Sequence, residues 1–200
     1  LWAQEHSPKH EFRGVWVPTV YNNYYRELSV EQLKDTLVKQ LDAYANMGIN
    51  TVIYQVRPEG DALYASSLEP WSRFLTGEQG VAPEEDFDPM AFLIQECHKR
   101  CMEFHAWINP YRANTNKKNK LSEDNRYYSN RYLYVSYGNQ LLFNPGFPQN
   151  REHIVSVVKD IVSRYDIDAL HMEVYFYTYS IYGVQLQDTS PKKWFPQAQG

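Results

Sequence analysis

Three stretches of this chain place chemically capable side chains two residues apart at the end of an apolar run. Gln55, Arg57 and Glu59 form one set, His105, Trp107 and Asn109 a second, and His171, Glu173 and Tyr175 a third. Residues two apart on a strand share a face, so each set predicts a row of side chains aimed the same way. Carboxylates supply an acid, a base or a nucleophile, and aromatic rings suit the apolar C–H faces of sugars. Glu173 is the foremost candidate. It follows the apolar Ala169-Leu170 and stands beside His171 and aromatic residues, a setting that shifts a carboxyl pKa. Glu59 and Asp61 come next, in Arg57-Pro58-Glu59-Gly60-Asp61. Arg57 and Glu59 read equally well as an ion pair pinning that loop. A buried hydrogen-bond network closing the top of a sheet would produce the same three sets, and both readings stand. His105, His171 and Glu173 lack the local spacing of metal ligands, so no metal or other cofactor is expected. There is no GxSxG, no P-loop and no GxGxxG opening a helix, which removes the commonest hydrolase and nucleotide signals.

The elements that must position these groups repeat along the chain. Apolar runs at residues 12–17, 51–56, 103–108 and 169–174 each lead into a polar, aromatic loop, and a helical pattern follows the first three. Such alternation predicts parallel strands with crossover helices. Polar groups gathered at one end of every strand point to an α/β fold of the (β/α) TIM-barrel type, which builds its sites there. A closed barrel has eight units; about four are legible, the N-terminal half. Residues 1–11 read as a polar lead-in, 12–182 as the partial barrel and 183–200 as a loop or tail.

Helix signals are clear. Ser29 with Gln32 makes a capping box ahead of Leu33, Leu37, Leu41 and Tyr44, with Gly48 closing the helix. Asp88-Pro89 opens a second helix with Met90, Leu93, Ile94 and Cys97 on its apolar face, and Cys101 sits where glycine would suit better. A third starts near Pro148 and buries Ile154, Val157, Val158 and Ile161. Residues 57–87 and 109–147 are too long for simple turns and read as structureless functional insertions, the second partly mobile.

Composition narrows the partners. The 200 residues fit one domain, and 17 Tyr and 5 Trp, many of them in loops, suit carbohydrate. A net charge of −4 without a basic stripe argues against nucleic acid. No run approaches the ~20 apolar residues of a membrane span. Leu1-Trp2-Ala3-Gln4-Glu5 looks like the end of an export signal, which predicts an exported protein: periplasmic, cell-surface or secreted. Cys97 and Cys101, four apart on one helix, read as two buried free thiols.

Longer motifs add a resemblance. Glu11-Phe12-Arg13-Gly14-Val15-Trp16-Val17, the run from Gln55 to Tyr64, Ser67-Leu68-Glu69-Pro70-Trp71-Ser72 and Ala106-Trp107-Ile108-Asn109-Pro110-Tyr111-Arg112 resemble the bacterial glycosyl-hydrolase-like family 10. Asn144-Pro145-Gly146 and Tyr165-Asp166-Ile167-Asp168-Ala169-Leu170-His171 continue the match in order, so it spans roughly residues 11–182. The resemblance implies an exported α/β-barrel glycosidase acting on glycans, with peptidoglycan one substrate class. Taken with the residues, it gives Glu173 and Glu59 as catalytic candidates. Arg57, Asp61, His105, Trp107, Asn109, Arg112, Asn144, His171 and Tyr175 are the substrate-binding ones. One departure stands out. The family's fourth strand typically ends His-Phe-Asp-Asp-Tyr-Phe-Tyr, whereas this chain has His171-Met172-Glu173-Val174-Tyr175-Phe176-Tyr177. The first acid is longer by a methylene, and a misplacement of about an ångström can cost ~100-fold in rate. The second acid is lost. Glycosidases usually place two carboxylates across the scissile bond, so impaired hydrolysis is expected. The alternative is a non-catalytic glycan-binding remnant, or a half-barrel that self-associates into a homo-oligomer through exposed sheet edges.

Overall fold

A computed structural model describes residues 11–22, 24–173 and 181–184. Its centre is a parallel sheet of four strands: β1 (Gly14–Val17), β2 (Thr51–Arg57), β3 (Glu103–Ile108) and β7 (Ala169–Met172). They lie side by side in chain order, each parallel to the next. This is the arrangement expected of successive right-handed crossovers. β1 begins two residues later than its apolar run, and position 174 lies outside the described residues.

Three long helices make the crossovers. α1 (Val30–Asn46) starts at the Ser29–Gln32 capping box, in which each side chain satisfies the other's backbone N–H. α3 (Pro89–Lys99) follows the Asp88 cap, and α5 (Pro148–Arg164) starts on its proline. Their apolar faces cover one side of the sheet. Leu33, Leu37, Leu41, Met90, Leu93, Cys97, Val157 and Ile161 share a core with the alternate strand residues Val17, Val52, Tyr54, Val56, Phe104, Ala106 and Ile108. Every residue of β2 is buried, as befits a central strand of a parallel sheet.

Two expectations need correction. The insertion at 109–147 is not structureless. It carries β4 (Arg112–Asn114), β5 (Tyr134–Tyr137) and β6 (Gln140–Phe143) in a three-stranded antiparallel sheet ordered β4-β6-β5. Ala113, Leu121, Leu141 and Phe143 give it a small apolar cluster of its own, and α4 (Arg126–Ser129) lies within it. The 57–87 connection likewise holds a short helix, α2 (Arg73–Thr76). The two cysteines also differ from expectation: Cys97 is buried but Cys101 is exposed, and both are free. Cys101 has φ +54, the left-handed conformation that glycine takes most readily at a helix end. That conformation turns its side chain away from the helix face that Cys97 buries.

Asp88 ties several elements together. Its Oδ1 accepts from the N–H groups of Met90 and Ala91, and its Oδ2 from Ala65 N–H and Tyr165 O–H. Asp88→Ala is therefore expected to cost about 2–3 kcal/mol in urea unfolding, a cap plus buried partners, against about 1 kcal/mol for Ser29→Ala. Equal losses would contradict this ranking.

Candidate functional site

The face of the sheet away from the helices carries the polar rows. Register sets Gln55 opposite Trp107, and Trp107 opposite His171. The row before it holds Trp16, Ile53, His105 and Ala169. Trp16 meets Trp107 edge to face at 5.0 Å and His171 at 5.3 Å, while the His105 and His171 rings lie edge to edge, 24° apart in plane with centroids 5.0 Å apart. Gln55 is fully buried. Its Oε1 accepts from the N–H groups of Thr19 and Val20, which fastens the loop after β1. Among the described residues, Gln55 Nε2, Trp107 Nε1 and Asn109 Oδ1 are buried without a hydrogen-bond partner. A buried polar atom left unsatisfied costs about 1–3 kcal/mol, so these are groups poised for a ligand or ordered water. Glu173 continues β7 past Met172, its N–H donating to the Ile108 carbonyl at 3.4 Å, and it is half-buried. Tyr175 lies outside the described residues.

Arg57 leaves this row. A β-bulge between Gln55 and Arg57 sets Arg57 opposite Ile108 rather than Asn109, and a bulge re-aims the side chain that follows it. The ion pair considered between Arg57 and Glu59 is not formed. Arg57, with no exposed surface, instead grips Glu69: Nε donates to Oε2 at 2.6 Å and Nη2 to Oε1 at 2.5 Å. Its Nη1 donates to the Asn109 carbonyl, and the Phe143 ring lies 5.6 Å from the guanidinium. His153 on α5 adds a contact to Glu69 at 2.9 Å. Burial by itself would raise the Glu69 pKa, but the Arg57 charge and the His153 and Arg57 hydrogen bonds outweigh it and hold the carboxyl below its ordinary range.

Glu59 is committed to another partner. It is buried, takes both nitrogens of an Arg73 fork at 2.9 and 3.2 Å, and accepts from Thr115 N–H. Asp61 is buried as well. Burial first, then the Glu59 charge, pushes its pKa up to about 7, against the pull of Gln79 and Arg73. Gln79 donates to Asp61 and accepts from Ser122 N–H and Asn125 Nδ2, joining the two insertions. Gly60 passes so close to Phe143 that a Cβ there would sit 3.0 Å from the ring. Asn109 and Arg112 both donate to the Pro58 carbonyl. Asn144 serves the turn into α5, where its Oδ1 accepts from Gly146 N–H. The predicted residues thus form two groups: Gln55, His105, Trp107, His171 and Glu173 on the sheet, and Glu59, Asp61, Asn109 and Arg112 in the loops beside Arg57.

Sequence reasoning passed over Trp16, Glu103, Glu69, Arg73 and His153 as site residues. Glu103 was findable, since it stands two before His105 on the same strand. Glu69 reaches Arg57 across 12 positions and His153 reaches Glu69 across 84, and local spacing carries no sign of such pairs. Among the described residues no group of three or more His, Cys, Asp or Glu side chains is placed to hold a metal ion.

With this geometry in view, the comparisons are decisive for the family. The model of "Glycosyl hydrolase-like 10" matches residues 11–195. The chain belongs to that family. Glycosyl hydrolase YngK of Bacillus subtilis is 46% identical over 183 residues, covering 89% of this chain and 36% of that protein. Glycosyl hydrolase DigH of Escherichia coli K12 is 35% identical over 188 residues, covering 84% and 42%. This glycosyl hydrolase-like 10 chain therefore spans well under half the length of these curated relatives. Solved structures agree in fold. An alpha-L-fucosidase from Paenibacillus thiaminolyticus superposes with a TM-score of 0.53 at 13% identity, over 82% of this chain and 24% of that one. The alpha-galactosidase AgaB of Geobacillus stearothermophilus gives 0.51 at 14% identity, over 81% and 21%. Such neighbours are glycosidases of the TIM-barrel type.

The buried Arg57–Glu69 pair yields a prediction. Removing one member strands the other charge, which typically costs 3–5 kcal/mol, whereas replacing both by apolar groups costs far less. Arg57→Met should lower unfolding free energy by about 3 kcal/mol or more, and Glu69→Leu added to it should recover much of that loss. A double variant no more stable than the single one would contradict the pairing.

Proposed function

We propose that the chain carries one side of a glycoside hydrolase site that acts on a polymeric glycan, cell-wall peptidoglycan being the class that the family resemblance suggests. One observation supports this above the others: the fully buried Gln55 and the buried Trp107 keep donor atoms unspent beside a half-exposed Trp16. Rings with adjacent hydrogen-bond donors suit a sugar, whose faces are apolar and whose edges are hydroxyls. Glu173 is the carboxylate of this proposal. It lies just past the end of β7, two residues after His171, and is not committed to an ion pair among the described residues. Glu59, tied to Arg73 and Thr115, holds the loop that shapes the site. Asp61, Asn109 and Arg112 support that loop, and His105, Trp107 and His171 face the glycan. Four parallel strands and three crossover helices supply part of the eight-unit barrel such enzymes use. Action outside the cytoplasm belongs to the same proposal. So does pairing of copies through the edges of β1 and β7.

A second reading is favoured by one specific observation. Val174 stands where the family typically has a second acid, so the site binds glycan and turns it over slowly. A single assay separates the two readings. Reducing ends released from denuded peptidoglycan and other polymeric glycans are measured for the chain and two variants. Glu173→Gln is expected to remove ~100-fold or more of whatever turnover exists. Glu173→Asp combined with Val174→Asp is expected to raise turnover at least about tenfold, by restoring the shorter acid and its neighbour. Unchanged release in Glu173→Gln would withdraw Glu173 as the catalytic carboxylate.

A further inference from the structure

The sheet face that carries Trp16 and Trp107 also carries a hydrogen-bonded chain of three titratable groups. Glu103 Oε2 lies 2.9 Å from His105 Nε2, and His105 Nδ1 lies 2.8 Å from His171 Nε2. His105 is 7% exposed, with the Phe12 ring 5.9 Å away; His171 is half-buried and packs edge-on to Trp16. These neighbours fix both imidazole planes. The hydrogen bonds set which nitrogen faces which partner, and the protons can be assigned by elimination.

A carboxylate can only accept, so His105 Nε2 carries a hydrogen. A neutral imidazole has a single N–H, so Nδ1 of His105 is an acceptor and Nε2 of His171 must donate to it. The remaining nitrogen, Nδ1 of His171, is then a bare lone pair. Adding one proton from solvent reverses this wherever the charge settles. If it settles on His105, that ring donates through Nδ1, His171 Nε2 becomes the acceptor, and the hydrogen of His171 sits on Nδ1. If it settles on His171, Nδ1 holds the added proton directly. In both cases one proton converts Nδ1 of His171 from acceptor to donor.

We propose that Nδ1 of His171 is a proton-gated contact to the glycan: it accepts from a sugar hydroxyl while the histidine pair is neutral, and donates after the pair takes up one proton. Glu103 and His105 are positioning residues that set its state. The proposal rests on the reading of this face as the glycan site. Groups of other elements bear on it. Asp168, whose carboxylate bonds His98 and Phe104 N–H, interacts with His105. Glu173 lies two residues beyond His171, just past the end of β7, while β2 presents the neutral Ile53 and Gln55 and β1 the neutral Trp16. Burial and the adjacent His105 hold the His171 pKa below its ordinary value.

Ring-nitrogen ¹⁵N NMR of the chain tests this directly, between roughly pH 8 and pH 5 where histidines titrate. At the high end, His171 should show a protonated Nε2 and a bare Nδ1, and Nδ1 should gain its proton in the step that charges the pair. Glu103 is largely exposed, so Glu103→Ala leaves the fold intact. It should replace the fixed tautomer by a mixture and move the acid step to lower pH, the direction expected on losing a neighbouring carboxylate. Adding a soluble N-acetylglucosamine–N-acetylmuramic acid disaccharide at the high pH should shift the His171 Nδ1 resonance. A protonated Nδ1 at high pH, or a tautomer unchanged in Glu103→Ala, would overturn the switch; a resonance unmoved at saturating disaccharide would overturn the contact. The tautomer readout needs no turnover. A correct switch without glycan hydrolysis removes the glycosidase reading alone, and hydrolysis with the wrong tautomer removes the switch alone.

Discussion

A guanidinium with no exposed surface is tolerable only if its donors are satisfied, and the loops of this protein are arranged around that requirement at Arg57. Glu69 meets two of its nitrogens and the Asn109 carbonyl a third. Glu69 is itself held by His153 from α5. One buried pair thus fastens the end of β2 to the 57–87 loop, to the start of the loop after β3 and to the last long helix. Buried ion pairs are poor sources of net stability and good sources of geometric definition when every partner is satisfied. Here the definition matters, because the same segments border the C-terminal ends of the strands.

The β-bulge after Gln55 divides the labour. Before it, Gln55, Trp107 and His171 form a row on the face away from the helices, with buried donors that have no described partner. After it, Arg57 joins the structural network. Glu59 and Asp61 continue that network through Arg73, Thr115 and Gln79. The loop carboxylates are accordingly deep and engaged, and the sheet face keeps the uncommitted groups. A pKa pushed to about 7 at Asp61 reflects burial beside Glu59 more than an open catalytic cleft. Perturbed groups in structural clusters are a known source of false site assignments.

Much of this was legible in the residues. Capping boxes and proline starts are local signals, so α1, α3 and α5 begin where Ser29, Asp88 and Pro148 indicate. Two-residue periodicity set the rows of β3 and β7, and a strained Cys101 was visible because no glycine closes α3. What escaped depended on distance or on a broken period. Periodicity cannot announce a bulge, so Arg57 read as a neighbour of Gln55. The antiparallel sheet in 109–147 is built from strands of three or four residues, too short to display alternation among Asn, Lys and Tyr. Glu69 becomes the partner of Arg57, and His153 that of Glu69, only after folding. The family motifs contained Glu69 without revealing what it holds.

The central claim is that the sheet face away from the helices, and not the loop network beside Arg57, meets the glycan. The most direct measurement follows the indole N–H signals of the protein by ¹H–¹⁵N NMR while soluble peptidoglycan fragments are added, with Trp107→Phe and Trp16→Phe to assign them. The account predicts a specific, saturable shift of the Trp107 Nε1–H signal, because that donor is buried without a described partner, accompanied by a shift at Trp16. A Trp107 signal that stays fixed while Trp71, in the 57–87 loop, responds would contradict it and move the glycan site to the loops.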